Sequence, residues 1–294
     1  MKNTIWSAIV AAIVSLLVIS IYPAQKMLPG VMEQKESAYD RVMRTKTIRC
    51  EYATFAPSLV SDVNTKQISG YTVDLMNEIG RRLGLKVEWV EETTYGQMVE
   101  GLNSGRADVF CAATGLNVHR AKFTLATQPF FYAPIYLAVR PDDTRFAGNN
   151  PMRANGEDIK FLIVDGDIAD TISRNNFPKA QRVSSPQLVD WPTMLQDVVA
   201  GKTDVVLAEP YTFREFDKNN PGKLKMLDQG RPASLLPVGF VVNKGEAQLK
   251  YMLDMALSEM TNEGYIHAVL SKYFDDPAKY VLEPSEPFRL ETKK

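Results

Sequence analysis

The stretch Tyr95-Gly-Gln-Met-Val-Glu-Gly-Leu-Asn-Ser-Gly-Arg-Ala-Asp-Val-Phe-Cys-Ala112 decides the fold, because a similar stretch, matched in residue class without a gap, recurs further along the chain. The second copy is Trp191-Pro-Thr-Met-Leu-Gln-Asp-Val-Val-Ala-Gly-Lys-Thr-Asp-Val-Val-Leu-Ala208. Each copy has a helical apolar pattern, a glycine that ends it, a basic residue, an aspartate and an apolar strand. Two ungapped copies of one helix–strand unit predict two similar α/β lobes.

The segments around the first copy alternate between strand and helix patterns. Apolar periodicity predicts strands at 47–52, 86–90 and 107–112, and helices at 36–44, 71–83, 95–102, 211–219, 248–260 and 265–274. Residues 237–242 are apolar and extended. Strands that alternate with helices predict a mostly parallel sheet with helices on its faces.

Composition and charge narrow the function classes. The chain has 294 residues, of which 45% are hydrophobic and 23% are charged, which is typical of a globular protein that can bury its own core. The formal net charge is -1 and no basic stripe is visible. We therefore expect no nucleic-acid partner.

The N-terminus carries an export signal. An uncharged run at 5–22 follows Lys2 and is long enough to cross most of a bilayer. The positive charge before the run places the rest of the chain outside the cytoplasm. Both a signal peptide and an uncleaved anchor within residues 1–25 fit, because no clear small-residue cleavage site follows. Residues 26–43 form a polar linker.

The two cysteines, Cys50 and Cys111, fall in predicted strands. Outside the cytoplasm such a pair can oxidise to a disulfide. A bridge requires that the two strands are neighbours with close Cβ atoms. Cys111 aligns with Leu207 in the repeat, so a buried free thiol in the core fits as well.

Several short motifs, in order along the chain, resemble those of one protein family. The sequence resembles type II periplasmic solute-binding proteins that serve polar amino-acid ABC transporters. The resemblance covers about residues 44–275 and rests on these segments: Thr47-Ile-Arg-Cys-Glu-Tyr, Gly70-Tyr-Thr-Val-Asp-Leu-Met-Asn-Glu-Ile, Leu83-Gly-Leu-Lys-Val-Glu-Trp-Val, Gly105-Arg-Ala-Asp-Val, Val118-His-Arg-Ala-Lys-Phe, Pro129-Phe-Phe-Tyr, Val238-Gly-Phe-Val-Val-Asn-Lys-Gly and Glu263-Gly-Tyr-Ile.

The resemblance implies a two-lobed Venus flytrap that closes on a ligand by hinge motion. Lobe 1 would comprise residues 44–132 and 239–294, and lobe 2 residues 133–238. Two extended crossings, near 132–134 and 237–239, would form the hinge. The implied function is to bind a small solute, an amino acid or a related carboxylate, and to deliver it to an ABC transporter permease from the periplasm.

The resemblance also implies a set of ligand-binding residues. Arg120 would hold the ligand carboxylate with its guanidinium fork, and backbone at Ala113 and Gly115 would assist. Glu209 would pair with the ligand ammonium. Asp167 either caps a helix or faces the cleft, where it would favour a cationic side chain. Aromatic candidates for the cleft wall, for each of which core packing fits equally well, are Tyr52, Phe55, Tyr95 and Tyr132. For Trp89 and Trp191 we expect positions in the core.

The residues depart from the family pattern and leave two alternatives open. Ala112, Ala113 and Gly115 stand where the family has hydroxyl-bearing residues, and Ile168 removes another hydroxyl. An enzyme of the dehydratase type can share this fold. We see no nucleophile motif, phosphate loop, paired catalytic carboxylates or metal-ligand spacing, and therefore expect no enzyme, no cofactor and no metal. An anchored sensor module that reports ligand to a separate partner is the other alternative.

Overall fold

Residues 36–62, 64–186, 191–228 and 230–284 are described by a computed structural model. The predicted export run at 5–22 and most of the predicted linker lie outside these ranges. Within them, no helix has both the length and the apolar character needed to cross a bilayer. The end of the predicted linker is a helix, Ala38–Thr45, whose Val42 is fully buried, so this segment packs on the folded body.

Strands and helices alternate along both halves of the chain. The helices are α1 Ala38–Thr45, α2 Tyr71–Leu83, α3 Met98–Ser104, α4 Ile168–Asn176, α5 Trp191–Val199, α6 Pro210–Asn219, α7 Ala247–Asn262 and α8 Tyr265–Tyr273. The strands are β1 Thr47–Tyr52, β2 Val60–Ser61, β3 Ile68–Ser69, β4 Lys86–Glu92, β5 Val109–Gly115, β6 Thr124–Ala126, β7 Phe131–Val139, β8 Lys160–Val164, β9 Gln181–Ser185, β10 Val205–Ala208, β11 Lys225–Met226 and β12 Ser234–Asn243.

Two groups of parallel strands are joined by two long antiparallel strands. β1 pairs in parallel with β4 and β5, and β8 pairs in parallel with β9 and β10. β7 and β12 pair with each other, and Tyr132 lies opposite Pro237. β12 continues beside β5, while β7 continues beside β10, so the pairing of β7 with β12 links the two groups. The predicted α/β fold with two lobes is confirmed.

The repeat seen in the sequence is also a repeat of structure. Gly105 and Gly201 each end a helical segment with a positive φ of 74°, a conformation that glycine adopts without steric cost. Asp108 accepts a hydrogen bond from the backbone N–H of Arg49 at 2.7 Å, and Asp204 accepts one from the N–H of Lys160 at 2.9 Å. Each aspartate thus ties the start of its strand to the neighbouring parallel strand.

Arginines neutralise both of these buried aspartates. Asp108 pairs with Arg41 and Arg49, and Asp204 pairs with Arg140 and Arg145. A buried carboxylate is tolerated only when it is paired and hydrogen-bonded, which explains why the aspartate recurs in both copies. In both lobes, therefore, a buried aspartate paired with two arginines stands at the start of the central strand.

Most predicted elements are confirmed, with shifted ends. The helix predicted from 95 begins at Met98, because Thr94 accepts backbone hydrogen bonds from Gln97 and Met98 and forms a turn first. The strand predicted at 107–112 is Val109–Gly115. Cys50 and Cys111 are joined by a disulfide, with their Cα atoms 5.5 Å apart, between the adjacent strands β1 and β5.

Candidate functional site

A cavity lies where the loops and helix starts of the two lobes meet. Its volume is about 80 Å³, which at about 10–15 Å³ per water molecule holds several waters or one small solute. Its wall combines aromatic and aliphatic side chains with one basic and two acidic residues: Phe55, Tyr71, Tyr95, Ala113, Arg120, Phe131, Asp167, Ile168, Trp191, Glu209 and Val238. A mostly apolar cleft with a few polar groups is the usual form of a small-molecule site.

Arg120 supplies the cavity's basic group. It begins a short 3-10 turn after β5, and its backbone N–H donates to the side chain of Asn117. Its Nη1 donates to the carbonyl oxygen of Gly115 at 2.9 Å. Burial lowers the pKa of the guanidinium, and the nearby Asp167 opposes that shift. The side chain is 14% exposed, so its position is fixed by the surrounding structure.

Asp167 comes from the other lobe and faces Arg120. It is the N-cap of α4, where its Oδ1 accepts a hydrogen bond from the backbone N–H of Ile168 at 2.6 Å. The same oxygen lies 3.8 Å from Nη2 of Arg120. The helix-cap role and the cleft-facing role, which the sequence left as alternatives, therefore hold together. A negative charge at this position is also favoured by the helix N-terminus.

Glu209 is the second acidic group of the wall. It precedes α6, yet its carboxyl group does not cap that helix. No hydrogen-bond donor among the described residues reaches this carboxyl group in the structure. Burial and the nearby Asp167 together raise the pKa of Glu209 to about 7. The cavity therefore holds a carboxyl group that has no cationic partner within the described part of the chain.

Aromatic rings form much of the remaining wall. Phe55 meets Trp191 edge to face, with ring centroids 6.3 Å apart, across the gap between the lobes. The hydroxyl group of Tyr95 donates to the carbonyl oxygen of Ala113 at 3.1 Å, which fixes this ring beside the cavity. Tyr71 packs edge to face on Phe131 at 5.7 Å. Ring faces of this kind attract cations and apolar groups alike.

A second, smaller chamber of about 30 Å³ adjoins the cavity. The two share Phe55, Ile168, Trp191 and Glu209. Beyond these shared residues the chamber is lined by aliphatic side chains and one threonine: Ile135, Ala169, Ile172, Leu207 and Thr212. A ligand whose polar end lies beside Glu209 can therefore place an alkyl group here.

Six of the residues predicted from the sequence come together in the cavity wall: Phe55, Tyr95, Ala113, Arg120, Asp167 and Glu209. Three others do not line it. Tyr52 packs edge to face on Trp89, because alternate side chains of β1 point to opposite faces. Tyr132 lies in β7 and pairs with Leu282 and Pro237. Gly115 contributes through its carbonyl oxygen, which binds Arg120.

Part of the cavity wall could not be predicted from the sequence. Trp191, which we expected in the core, is half-buried: it packs against a core cluster and also lines the cavity. Tyr71, Phe131 and Val238 were not predicted at all. Each falls within an apolar pattern that core packing explains equally well, so only the meeting of two distant segments identifies them. Among the described residues, no group of three His, Cys, Asp or Glu side chains is placed to hold a metal ion.

Fold and cavity together define a two-lobed solute-binding protein of the periplasmic type. The chain belongs to the bacterial extracellular solute-binding proteins, family 3, whose model matches residues 48–276. The resemblance stated from the sequence motifs is therefore confirmed, and so is the extracellular class of the family.

Individual relatives are similar to the chain in sequence or in fold. The chain is 24% identical over 228 residues to the L-cystine-binding protein TcyA of Bacillus subtilis, which covers 76% of this chain and 79% of the relative. The structure of the ancestral amino acid-binding protein AncCDT-1, a precursor of cyclohexadienyl dehydratase, superposes with a TM-score of 0.68 at 22% identity and covers 81% of this chain and 100% of that one. A histidine kinase sensor domain has a TM-score of 0.66 at 22% identity, with coverages of 81% and 98%.

Proposed function

We propose that this protein binds one small, amino-acid-related solute between its lobes and delivers it to an ABC transporter permease. The observation that carries the proposal is the cavity between the lobes, where one arginine and two carboxyl groups are surrounded by aromatic rings. In this proposal, residues 44–132 and 239–294 form one lobe and residues 133–238 the other. β7 and β12 act as the hinge.

Charge and position support a role for Glu209 as the partner of a ligand amine. Its carboxyl group lies in the cavity wall and has no hydrogen-bond donor among the described residues. A bound ammonium group would supply the missing donors and the opposite charge. Arg120 lies on the other lobe and faces the same space, so a ligand would contact both lobes and favour their closure.

A binding screen tests the proposal. The full chain in mild detergent is titrated by calorimetry with amino acids and with their amines, amides and esters. We expect at least one compound to bind with one-to-one stoichiometry and to raise the melting temperature, because ligands that bind only the folded state stabilise it. Glu209→Gln should weaken binding of amines by roughly tenfold or more. If no compound binds, or if Glu209→Gln binds equally well, the site is assigned incorrectly.

We infer that the protein binds its ligand without turning it over. The curated relatives are named as binding proteins, which supports this class. The likeness to a precursor of a dehydratase extends to the fold and no further. Incubation of the identified ligand with the protein, followed by mass spectrometry, should return the ligand unchanged. A product that accumulates in proportion to protein would overturn the inference.

Transport is the favoured role and sensing the second candidate. The sensor alternative is supported by the likeness to a histidine kinase sensor domain, which concerns the fold alone. We propose that the run at 5–22 tethers the chain to the cytoplasmic membrane. Cell fractionation and N-terminal sequencing should find the intact N-terminus in the membrane fraction. Loss of ligand uptake in a strain without the protein separates transport from sensing, because a sensor would change expression instead.

A further inference from the structure

The carboxylate of Asp167 lies beside Arg120, which is the position that the carboxylate of an amino-acid ligand would need to occupy. Oδ1 of Asp167 lies 3.8 Å from Nη2 of Arg120, and Nη1 of the same guanidinium donates to the carbonyl oxygen of Gly115. Both terminal nitrogens of the arginine therefore face acceptors of the chain itself. A ligand carboxylate that approached Arg120 would come close to the charge of Asp167.

We propose that Asp167 takes the place of the ligand's carboxylate and that the cavity selects a small organic amine with one net positive charge and no free carboxylate. This inference rests on the proposed function as a solute-binding protein and specifies which solute class the site takes. Asp167 is then the residue that determines specificity, acting through its pairing with Arg120.

Charge balance leads to the same class of ligand. The cavity wall contains one basic side chain, Arg120, and two acidic ones, Asp167 and Glu209. A zwitterionic amino acid adds no net charge and leaves this excess of acid in place. A ligand with one positive charge balances it. Two carboxyl groups that share one site disfavour each other's ionised form, so a third carboxylate from a ligand would be more costly still.

The position of Asp167 stabilises its ion pair with Arg120. Its carboxylate is fixed by the backbone N–H of Ile168, at the start of α4, where the helix dipole favours negative charge. The side chains of Arg120 and Asp167 are 14% and 28% exposed, so water screens their attraction less than at the surface. A competing carboxylate would have to displace a partner that the fold itself positions.

The rest of the wall suits a cation that carries an alkyl or aromatic group. Glu209 offers a carboxyl group without a hydrogen-bond partner among the described residues, and the rings of Phe55 and Trp191 lie next to it. Aromatic faces bind ammonium groups through their quadrupoles. The adjoining aliphatic chamber, reached past Glu209, receives the apolar part of the ligand.

Matched pairs of ligands test the proposal. Each pair consists of an amino acid and the amine it gives on decarboxylation: L-leucine with isopentylamine, L-tyrosine with tyramine, and L-phenylalanine with 2-phenylethylamine. Affinities for the full chain are measured by calorimetry at constant pH and ionic strength. We expect the amine of at least one pair to bind at least tenfold more tightly than its amino acid. Methyl esters and amides of the amino acids should follow the amines, because they also lack the carboxylate.

Two variants assign the preference to Asp167. Asp167→Asn retains a good helix cap and removes the charge, and Asp167→Thr does the same with a hydroxyl group. In both, the preference for amine over amino acid should shrink tenfold or more. The matched control is Asp170→Asn, because Asp170 lies in the first turn of the same helix and pairs with Arg174 outside the cavity. This control should keep the wild-type preference, with circular dichroism showing an intact fold in all three.

The outcomes separate this inference from the proposed function. If amino acids bind as tightly as their amines, or more tightly, the inference is wrong while the solute-binding function stands. If the amine preference persists in both Asp167 variants, Asp167 does not determine it and the assignment fails. If no member of any pair binds, the inference is wrong, and if no compound of the wider screen binds either, the proposed function fails with it.

Discussion

The buried carboxyl group of Glu51 should make folding stability depend on pH. Glu51 lies in β1 and is fully buried, and neither of its carboxyl oxygens has a hydrogen-bond partner among the described residues. Burial, together with the neighbouring Glu91, raises the pKa of Glu51 to about 8, and Arg106 opposes part of this shift. The folded protein therefore holds Glu51 in its protonated form at neutral pH.

The sign and size of the effect follow from linkage. The unfolded chain loses this proton near pH 4.5, whereas the folded state keeps it up to about pH 8. Between these values the folded state binds one more proton, so the free energy of unfolding falls by about 1.4 kcal/mol for each unit of rising pH. The contribution is fully present below pH 4.5 and is lost as pH rises through 8. From pH 5 to pH 7 the loss is about 3 kcal/mol.

Glu51→Gln removes the titrating proton and keeps the size of the side chain. The free energy of unfolding is measured by urea denaturation with circular dichroism at pH 5, 6, 7 and 8. Relative to the wild type, the variant should become more stable by about 1.4 kcal/mol for each unit of rising pH. The free-energy cost of burying the glutamine amide is the same at every pH, so it does not affect the dependence on pH. The control is Glu88→Gln, on the exposed surface of the neighbouring strand β4, which should show no such trend. A constant difference between Glu51→Gln and wild type from pH 5 to 8 would refute the reasoning.

Two further predictions concern stability, and a third concerns the disulfide. Gly101→Ala should destabilise the protein measurably in urea denaturation, although alanine is the better helix former, because the new Cβ would overlap Oε2 of the buried Glu51. Asp108→Asn should lower the free energy of unfolding by about 3 kcal/mol, since it removes a buried carboxylate that pairs with two partly buried arginines, Arg41 and Arg49; a loss under 1 kcal/mol would argue against this. Thiol titration of denatured, non-reduced protein from an oxidising compartment should find Cys50 and Cys111 unreactive, and two free thiols would disprove the bridge.

The fold could be predicted from the sequence because its signals are local. The repeat around Gly105 and Gly201 joins a helix, a turn that needs positive φ and a strand in one short segment, and each feature acts within a few residues. The sequence shows that Asp108 and Asp204 occupy the same position in the two copies of the repeat, but it does not show why an aspartate stands there. The arginines that neutralise them lie far away along the chain or in another element, so only the folded structure brings them together.

The site was harder to predict because it depends on the meeting of distant segments. Arg120 and Glu209 carry charge in places where a core would not tolerate it, and family resemblance identified both. Trp191 and Tyr71 carry no such signal, since an aromatic residue in an apolar pattern fits a core or a cavity wall equally. Tyr52 shows the converse error, because one position along a strand decides which face of the sheet a side chain joins.

Closure of the lobes links the charges of the cavity to ligand binding. When the lobes close without ligand, Asp167 finds Arg120 on the opposite lobe, but Glu209 finds no cation among the described residues. Burial of the bare carboxylate is unfavourable and, together with the nearby Asp167, raises the pKa of Glu209 to about 7. Near the cavity, Tyr211 packs edge to face on Phe274 and Tyr280, and the ion pair of Arg214 with Asp275 is exposed and adds little. A ligand shifts an equilibrium only by what it contributes to one state over the other. In the proposed mechanism an amine beside Glu209 would supply the missing charge when the lobes close, so we expect an amine rather than a carboxylate to favour closure.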